Sequence, residues 1–111
     1  MKYYTPDSWK IVKITSEQHG EIFKVLCSWQ GGYTDADVWK LSSGFVDLKE
    51  LENKYETNQA SGSLYILMKN NERESSFMRE KFNNFKSSLS TVSATIEYVD
   101  MKDFLKIFNL K

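Results

Sequence analysis

The chain has 111 residues, 41% of them hydrophobic and 14% aromatic, with one proline and five glycines. Such a length accommodates one domain with its own core, and such a composition argues against a disordered or low-complexity chain. Fifteen basic residues balance fifteen acidic ones, which argues against a basic nucleic-acid-binding arm and against a strongly acidic surface. The start of the chain lacks the apolar run of a signal peptide and no stretch approaches a membrane span, so we expect a soluble cytoplasmic protein.

The first half of the chain has the pattern of antiparallel strands. A short β-branched run predicts a strand over 9–14, and polar residues at 16–20 predict a turn. Alternating apolar residues predict a second strand over 23–29 and a third over 39–45. We therefore expect a β-meander with one apolar face and one face in contact with water.

The segment 47–58 fits either a helix or a hairpin. Asp47 and Glu50 have the spacing of a capping box, and apolar residues follow at helical intervals. A hairpin with its turn at 52–54 explains the same residues nearly as well. The pattern alone does not separate the two structures.

The second half alternates strands and helices. A continuous apolar run predicts a strand over 64–68 that is covered on both faces. An apolar stripe predicts a long helix over 72–88, and regular alternation predicts a strand over 92–98. Asp100 has the position of an N-cap for a short final helix.

Together these elements predict a single α+β domain over residues 1–111. Its order is an antiparallel β-meander followed by β-α-β-α, with about five strands, one long helix and one short helix. We expect the long helix to pack on the sheet. Four side chains should then be buried together: Met78, Phe82, Phe85 and Ile96.

The sequence contains no recognisable catalytic set, and we predict a protein without enzymatic activity, cofactor or metal. The only histidine, His19, falls in a predicted turn and lacks a catalytic partner. The only cysteine, Cys27, lies on the apolar face of a strand, and a single cysteine excludes an internal disulfide. The glycines at 31–32 accompany no phosphate-loop motif, and the carboxylates at 35–37 lack the calcium-loop signature.

Aromatic residues are concentrated near the start of the chain, where all three tryptophans lie and lysines interleave with them. Aromatic and lysine side chains on a small sheet can hold nucleotides or single-stranded nucleic acid by stacking. Trp29 and Trp39 fall on the apolar faces of predicted strands, so the alternation of apolar and polar residues predicts that both belong to the core. Four other aromatic residues exceed what alternation buries and are candidates for an exposed binding patch: Tyr3, Tyr4, Trp9 and Tyr33. Adjoining loop residues that would shape this patch are Gly31, Gly32 and Asp35.

Several short motifs resemble small uncharacterised proteins of tailed bacteriophages of the T-even type. They are W-K-I at 9–11, W-x-G-G-Y at 29–33, W-K-L-S-S-G at 39–44 and S-G-S-L-Y at 61–65. The resemblance covers roughly the first 65 residues and favours a hairpin for the ambiguous segment. It implies an accessory binding protein that acts in the bacterial cytoplasm.

We therefore expect a non-enzymatic binding protein, namely a phage-encoded inhibitor or modulator of a host protein or of an anti-phage defence protein. The alternative is a protein that binds, and so sequesters, a nucleotide or single-stranded nucleic acid. Neither hypothesis involves a membrane. Both place the binding residues on the aromatic meander rather than on the helices.

Overall fold

The computed structural model describes residues 2–29 and 38–109, and within these ranges the fold is α+β, as predicted. The eight described strands are β1 Tyr3–Tyr4, β2 Ser8–Ser16, β3 Gly20–Trp29, β4 Val38–Leu41, β5 Phe45–Glu50, β6 Lys54–Gln59, β7 Leu64–Met68 and β8 Thr95–Val99. The two described α-helices are α1 Ser76–Ser90 and α2 Met101–Asn109. Neither helix in these ranges is long and apolar enough to cross a membrane.

The strands form two four-stranded sheets. The inner sheet has the order β4-β3-β2-β8 and is antiparallel throughout. The outer sheet has the order β1-β7-β6-β5, in which β1 pairs with β7 in parallel and the other pairs are antiparallel. The expected single sheet of about five strands is therefore two sheets.

The main core lies between the two sheets and is closed by α2. Trp9 and Ile11 from β2 and Val25 from β3 project from the inner sheet, because alternate residues of a strand share a face. The ring of Phe104 from α2 lies 5.1 Å from that of Phe23 and 4.6 Å from that of Phe45. The helix thus joins both sheets at one end of the core.

A second core lies between the inner sheet and α1. Met78 is fully buried and packs with Val12, Leu26 and Ile96, while Phe82 and its neighbours on the helix are half-buried around them. This confirms the predicted burial of the helix stripe against Ile96. It also corrects the expectation of a water-exposed face on the meander, because α1 covers that face.

The predicted strand over 39–45 is wrong in one respect, since the chain changes sheets within it. Leu41 belongs to β4 of the inner sheet, and Phe45 begins β5 of the outer sheet. Gly44 lies between them with a φ of +133°, a conformation that L side chains rarely adopt. The segment 47–58 contributes to the β5–β6 hairpin, so the helical alternative is wrong.

The ends of the second-half elements also differ from the prediction. Helix α1 begins at Ser76, later than expected, because the Ser75 side chain accepts a hydrogen bond from the backbone of Met78 and caps the helix. Val92 is 70% exposed and precedes β8, since Ser93 adopts a φ of +58° in the connecting turn.

Asp100 holds the predicted N-cap position of α2, where its backbone oxygen accepts from the N–H of Phe104 at 3.0 Å. The backbone N–H of Met101 donates to the Glu72 carboxylate at 2.7 Å. The Asp100 carboxylate instead accepts from the Lys10 ammonium at 2.8 Å. The first contact fixes the start of α2 against the segment that precedes α1, and the second fixes it against β2.

Candidate functional site

Trp9 does not belong to an exposed aromatic patch of the kind expected from the sequence. Tyr3 is 64% exposed, whereas Trp9 is completely buried, so the prediction that Trp9 is exposed is wrong. Trp9 donates from Nε1 to the backbone oxygen of Met68 at 2.8 Å and packs edge-on against Tyr55. Its position in β2 places it on the same face as Ile11, towards the outer sheet.

Tyr3 and Tyr4 lie on opposite faces of the outer sheet, because they are neighbours in β1. Tyr4 is half-buried, with its ring 5.1 Å from that of Tyr65 and 6.0 Å from that of Trp29. The other candidate residues, Gly31, Gly32, Tyr33 and Asp35, lie outside the described residues. Tyr4 also lines a cleft between the two sheets.

A polar cleft of about 570 Å³ lies where β1 and β7 of the outer sheet meet β3 and β4 of the inner sheet. We call it the lysine cleft. Its described lining consists of Lys2, Tyr4, Lys24, Lys40, Leu41, Ser42, Ser43, Ser61, Gly62, Ser63 and Tyr65. No carboxylate and no histidine is among these described residues.

Backbone hydrogen bonds hold the walls of the lysine cleft in place. The N–H of Leu64 donates to the backbone oxygen of Lys2 at 2.9 Å, which fixes the start of β1 beside β7. On the opposite wall, the backbone N–H of Ser42 donates to the backbone oxygen of Val25 at 2.9 Å. The backbone N–H of Val25 donates in turn to Ser42 Oγ at 2.8 Å. The lining residues are therefore positioned by both sheets.

Three lysines give the cleft its charge. Lys2, Lys24 and Lys40 form no ion pair with any carboxylate in the described ranges. The ammonium group of Lys40 lies 4.9 Å from the ring centre of Tyr4, within the range of a cation–π contact. Lys24 and Lys40 are half-buried and Lys2 is exposed. Their positive charges are thus available to a ligand.

Serine side chains border the same cleft. Ser43 Oγ accepts from the backbone N–H of Ser61 at 2.9 Å, which ties the turn after β6 to the connection between β4 and β5. Gly62 sits in that turn with a φ of +89°, where a side chain would be strained. Hydroxyl groups can donate to phosphate oxygens as well as accept from the backbone. The cleft therefore combines ammonium and hydroxyl donors.

Two titratable groups in or beside the cleft are neutral at physiological pH: the Tyr65 phenol, which lines it, and the Cys27 thiol, which lies 3.7 Å from the backbone oxygen of Lys40. Burial raises the pKa of the Tyr65 phenol to about 12. Burial also raises the pKa of the Cys27 thiol to about 12. The charge of the described cleft residues therefore comes from the lysines, and an anion is the ligand that this arrangement can hold.

Part of this site was predictable from the sequence. Tyr4 was a candidate binding residue, and Lys24 and Lys40 are among the lysines that interleave with the aromatic residues, whereas neither Lys2 nor the serines were candidates. Residues 61–63 have the composition of a turn, but residues 42–43 fell within the predicted strand over 39–45. Nothing in the pattern indicated that they meet, since this depends on how the two sheets pack.

A second depression, of about 540 Å³, lies on the outer face of the outer sheet beside Tyr3. Asp47 and Glu56 line it together with Lys49 and Leu64. Its charges are mixed, in contrast to those of the lysine cleft. No group of three or more histidine, cysteine, aspartate or glutamate side chains within the described ranges could hold a metal ion.

Comparison of the chain with protein-family models, with curated proteins and with solved structures gave no match.

Proposed function

We propose that the protein is a non-enzymatic binding protein that holds a phosphate-bearing ligand in the lysine cleft. The ligand class includes nucleotides and single-stranded nucleic acid. The observation that carries the proposal is the set of three lysines, Lys2, Lys24 and Lys40, that line one cleft without a described carboxylate partner. Hydroxyl groups of the serine-rich turns supply further donors.

The size and chemistry of the cleft support this proposal. Small-molecule sites usually have volumes of about 300–1,000 Å³, and the cleft volume of about 570 Å³ falls in that range. Charge-assisted hydrogen bonds from lysine to phosphate are roughly twice as strong as neutral ones. Backbone hydrogen bonds from both sheets already fix the walls, so binding need not order them.

Titration calorimetry with inorganic pyrophosphate tests the proposal. Lys40→Gln should weaken binding about tenfold or more, because one charge-assisted contact contributes about 1.5–3 kcal/mol. Lys86→Gln is the matched control, since Lys86 is exposed on α1 and does not line the cleft. If the wild-type protein binds no phosphate-bearing compound, the proposal is wrong.

A second candidate function is the modulation of a host or defence protein in the bacterial cytoplasm, as the phage resemblance implies. The specific observation that favours it is Tyr3, a large aromatic side chain that is 64% exposed beside the depression on the outer sheet. Exposed aromatic residues often anchor protein interfaces. In a pull-down from bacterial lysate, Tyr3→Ala should lose a stoichiometric partner that Lys40→Gln retains. A partner retained equally by both variants would argue against this surface.

A further inference from the structure

We infer that the ligand of the lysine cleft is a small molecule with two or more linked phosphates, such as a nucleoside diphosphate or triphosphate, rather than a nucleic-acid strand. This inference rests on the proposed function, because it narrows the ligand class of the same cleft. Three features support it: the number of lysines, the surroundings of the cleft and the state of its aromatic rings.

The number of positive charges matches a diphosphate or triphosphate group. A single phosphate monoester carries a charge of about −1.5 to −2 at neutral pH. Three lysines are among the residues that line the cleft, and neither an aspartate nor a glutamate is among its described residues. One phosphate would leave about one positive charge without a partner, whereas a chain of two or three phosphates can engage all three lysines.

The surroundings of the cleft do not continue its positive charge. A bound strand needs a basic groove that follows successive phosphates. Several basic side chains elsewhere are instead held by carboxylates, with the shortest contact of each pair between 2.6 and 4.0 Å: Lys10, Lys13, Lys54, Lys69 and Arg79. Across the β1–β7 pair, the neighbouring depression presents Asp47 and Glu56 beside Lys49, so it does not extend the positive charge of the cleft.

The two aromatic rings among the described cleft residues, Tyr4 and Tyr65, do not provide a stacking platform. Strand-binding proteins stack successive bases on exposed aromatic faces. Tyr65 is only 4% exposed. The ring of Tyr4 packs against those of Tyr65 and Trp29, and it also holds the ammonium group of Lys40. The described cleft residues thus favour recognition of phosphates over recognition of bases.

Titration calorimetry with four probes at low and at physiological salt tests the inference. The probes are inorganic tripolyphosphate, ATP, AMP and a single-stranded oligothymidylate. We expect tripolyphosphate and ATP to bind with similar affinity, and AMP to bind about tenfold more weakly, because it loses at least one charge-assisted contact. The oligothymidylate should bind no more tightly than AMP.

Cleft variants then locate the binding. Lys24→Gln and Lys40→Gln should each reduce the affinity for ATP about tenfold, whereas Lys86→Gln should leave it unchanged. Melting temperatures of the same variants show whether they remain folded. If ATP affinity is unchanged in folded Lys24→Gln and Lys40→Gln proteins, the inference is wrong.

The probes separate the failure of the inference from that of the proposed function. If the oligothymidylate binds more tightly than ATP, and its affinity falls steeply as the salt concentration rises, the inference is wrong but the phosphate-binding function stands. AMP binding as tight as ATP binding would also overturn the inference. The absence of binding by all four probes would overturn both.

Discussion

Trp9 illustrates how the environment of one side chain decides its role. Its indole fills the space between the two sheets, and its N–H is satisfied by the backbone oxygen of Met68 at 2.8 Å. We predict that Trp9→Ala lowers the free energy of unfolding by about 3–5 kcal/mol, because it leaves a cavity in the main core. Urea unfolding measures this loss.

The control for this prediction is Tyr3→Ala. Tyr3 is 64% exposed, so its removal should change the free energy of unfolding by no more than about 0.5 kcal/mol. Equal stability of the Trp9→Ala and wild-type proteins would show that Trp9 does not occupy the core.

Tyr4 is a positioning residue for the lysine cleft. Its ring lies 4.9 Å from the Lys40 ammonium group, and such contacts contribute about 0.5–1 kcal/mol at exposed sites. Tyr4→Leu removes the aromatic face and should weaken pyrophosphate binding about two- to fivefold. Tyr4→Phe keeps that face and should bind as the wild type does.

Calorimetry on the two Tyr4 variants therefore separates the ring from the hydroxyl. Since Tyr4 also packs in the core, melting temperatures are needed beside the affinities. Weak binding by Tyr4→Phe, with an unchanged melting temperature, would contradict a role for the aromatic face.

Glu74 connects α1 to the edge of the inner sheet. Burial opposes its ionisation, but hydrogen bonds from the Tyr98 hydroxyl and from Arg79 outweigh burial and lower the pKa of the Glu74 carboxyl. A carboxyl with a lower pKa in the folded state stabilises the fold above its unfolded pKa, which is about 4.5. This contribution is lost as the pH falls through the folded pKa.

Glu74→Gln should therefore make the free energy of unfolding less dependent on pH in the acid range. We expect the difference in urea midpoint between wild type and Glu74→Gln to be largest near neutral pH and to shrink as the pH decreases below about 4.5. A difference that is independent of pH would contradict the assigned ionisation.

Helix α1 shows how one element depends on one buried side chain. Met78 is fully buried against Val12, Leu26 and Ile96, at the turn that Ser75 caps. Met78→Ala should reduce the free energy of unfolding by about 2–5 kcal/mol. Denaturant unfolding with Lys86→Ala as the exposed control measures the effect. A loss below about 1 kcal/mol would place the helix elsewhere.

The elements that the sequence predicted best are those whose apolar period is long or regular. The apolar stripe of α1 and the apolar alternation that includes Ile96 in β8 predict which face of each element is buried. The change of sheets between Leu41 and Phe45 was not predictable, because both residues are apolar and the alternation continues across the break. The two-residue strand β1 was missed because it is too short to show a period.

The same limit applies to the candidate site. Lys24 and Lys40 come from β3 and β4, Lys2 precedes β1, and the serines come from two distant connections. They meet because β1 pairs with β7 in parallel, next to the β3–β4 edge of the other sheet. Apolar periodicity predicts which face of a segment is buried but not which strands pair, so the cleft could not be predicted from the sequence.

Across the described residues, two sheets and two helices bury or half-bury every aromatic side chain except Tyr3, and the lysine cleft holds three lysines without a described carboxylate partner. If this cleft binds phosphate, the amide signals of its residues should shift when a phosphate compound is added, since amide signals report where a ligand contacts the chain. Chemical-shift mapping by NMR measures these shifts. On addition of pyrophosphate, we expect the largest shifts at Lys40, 42–43 and 61–63. Shifts confined to the outer face around Tyr3 and Glu56, or to α1, would contradict phosphate binding in the cleft.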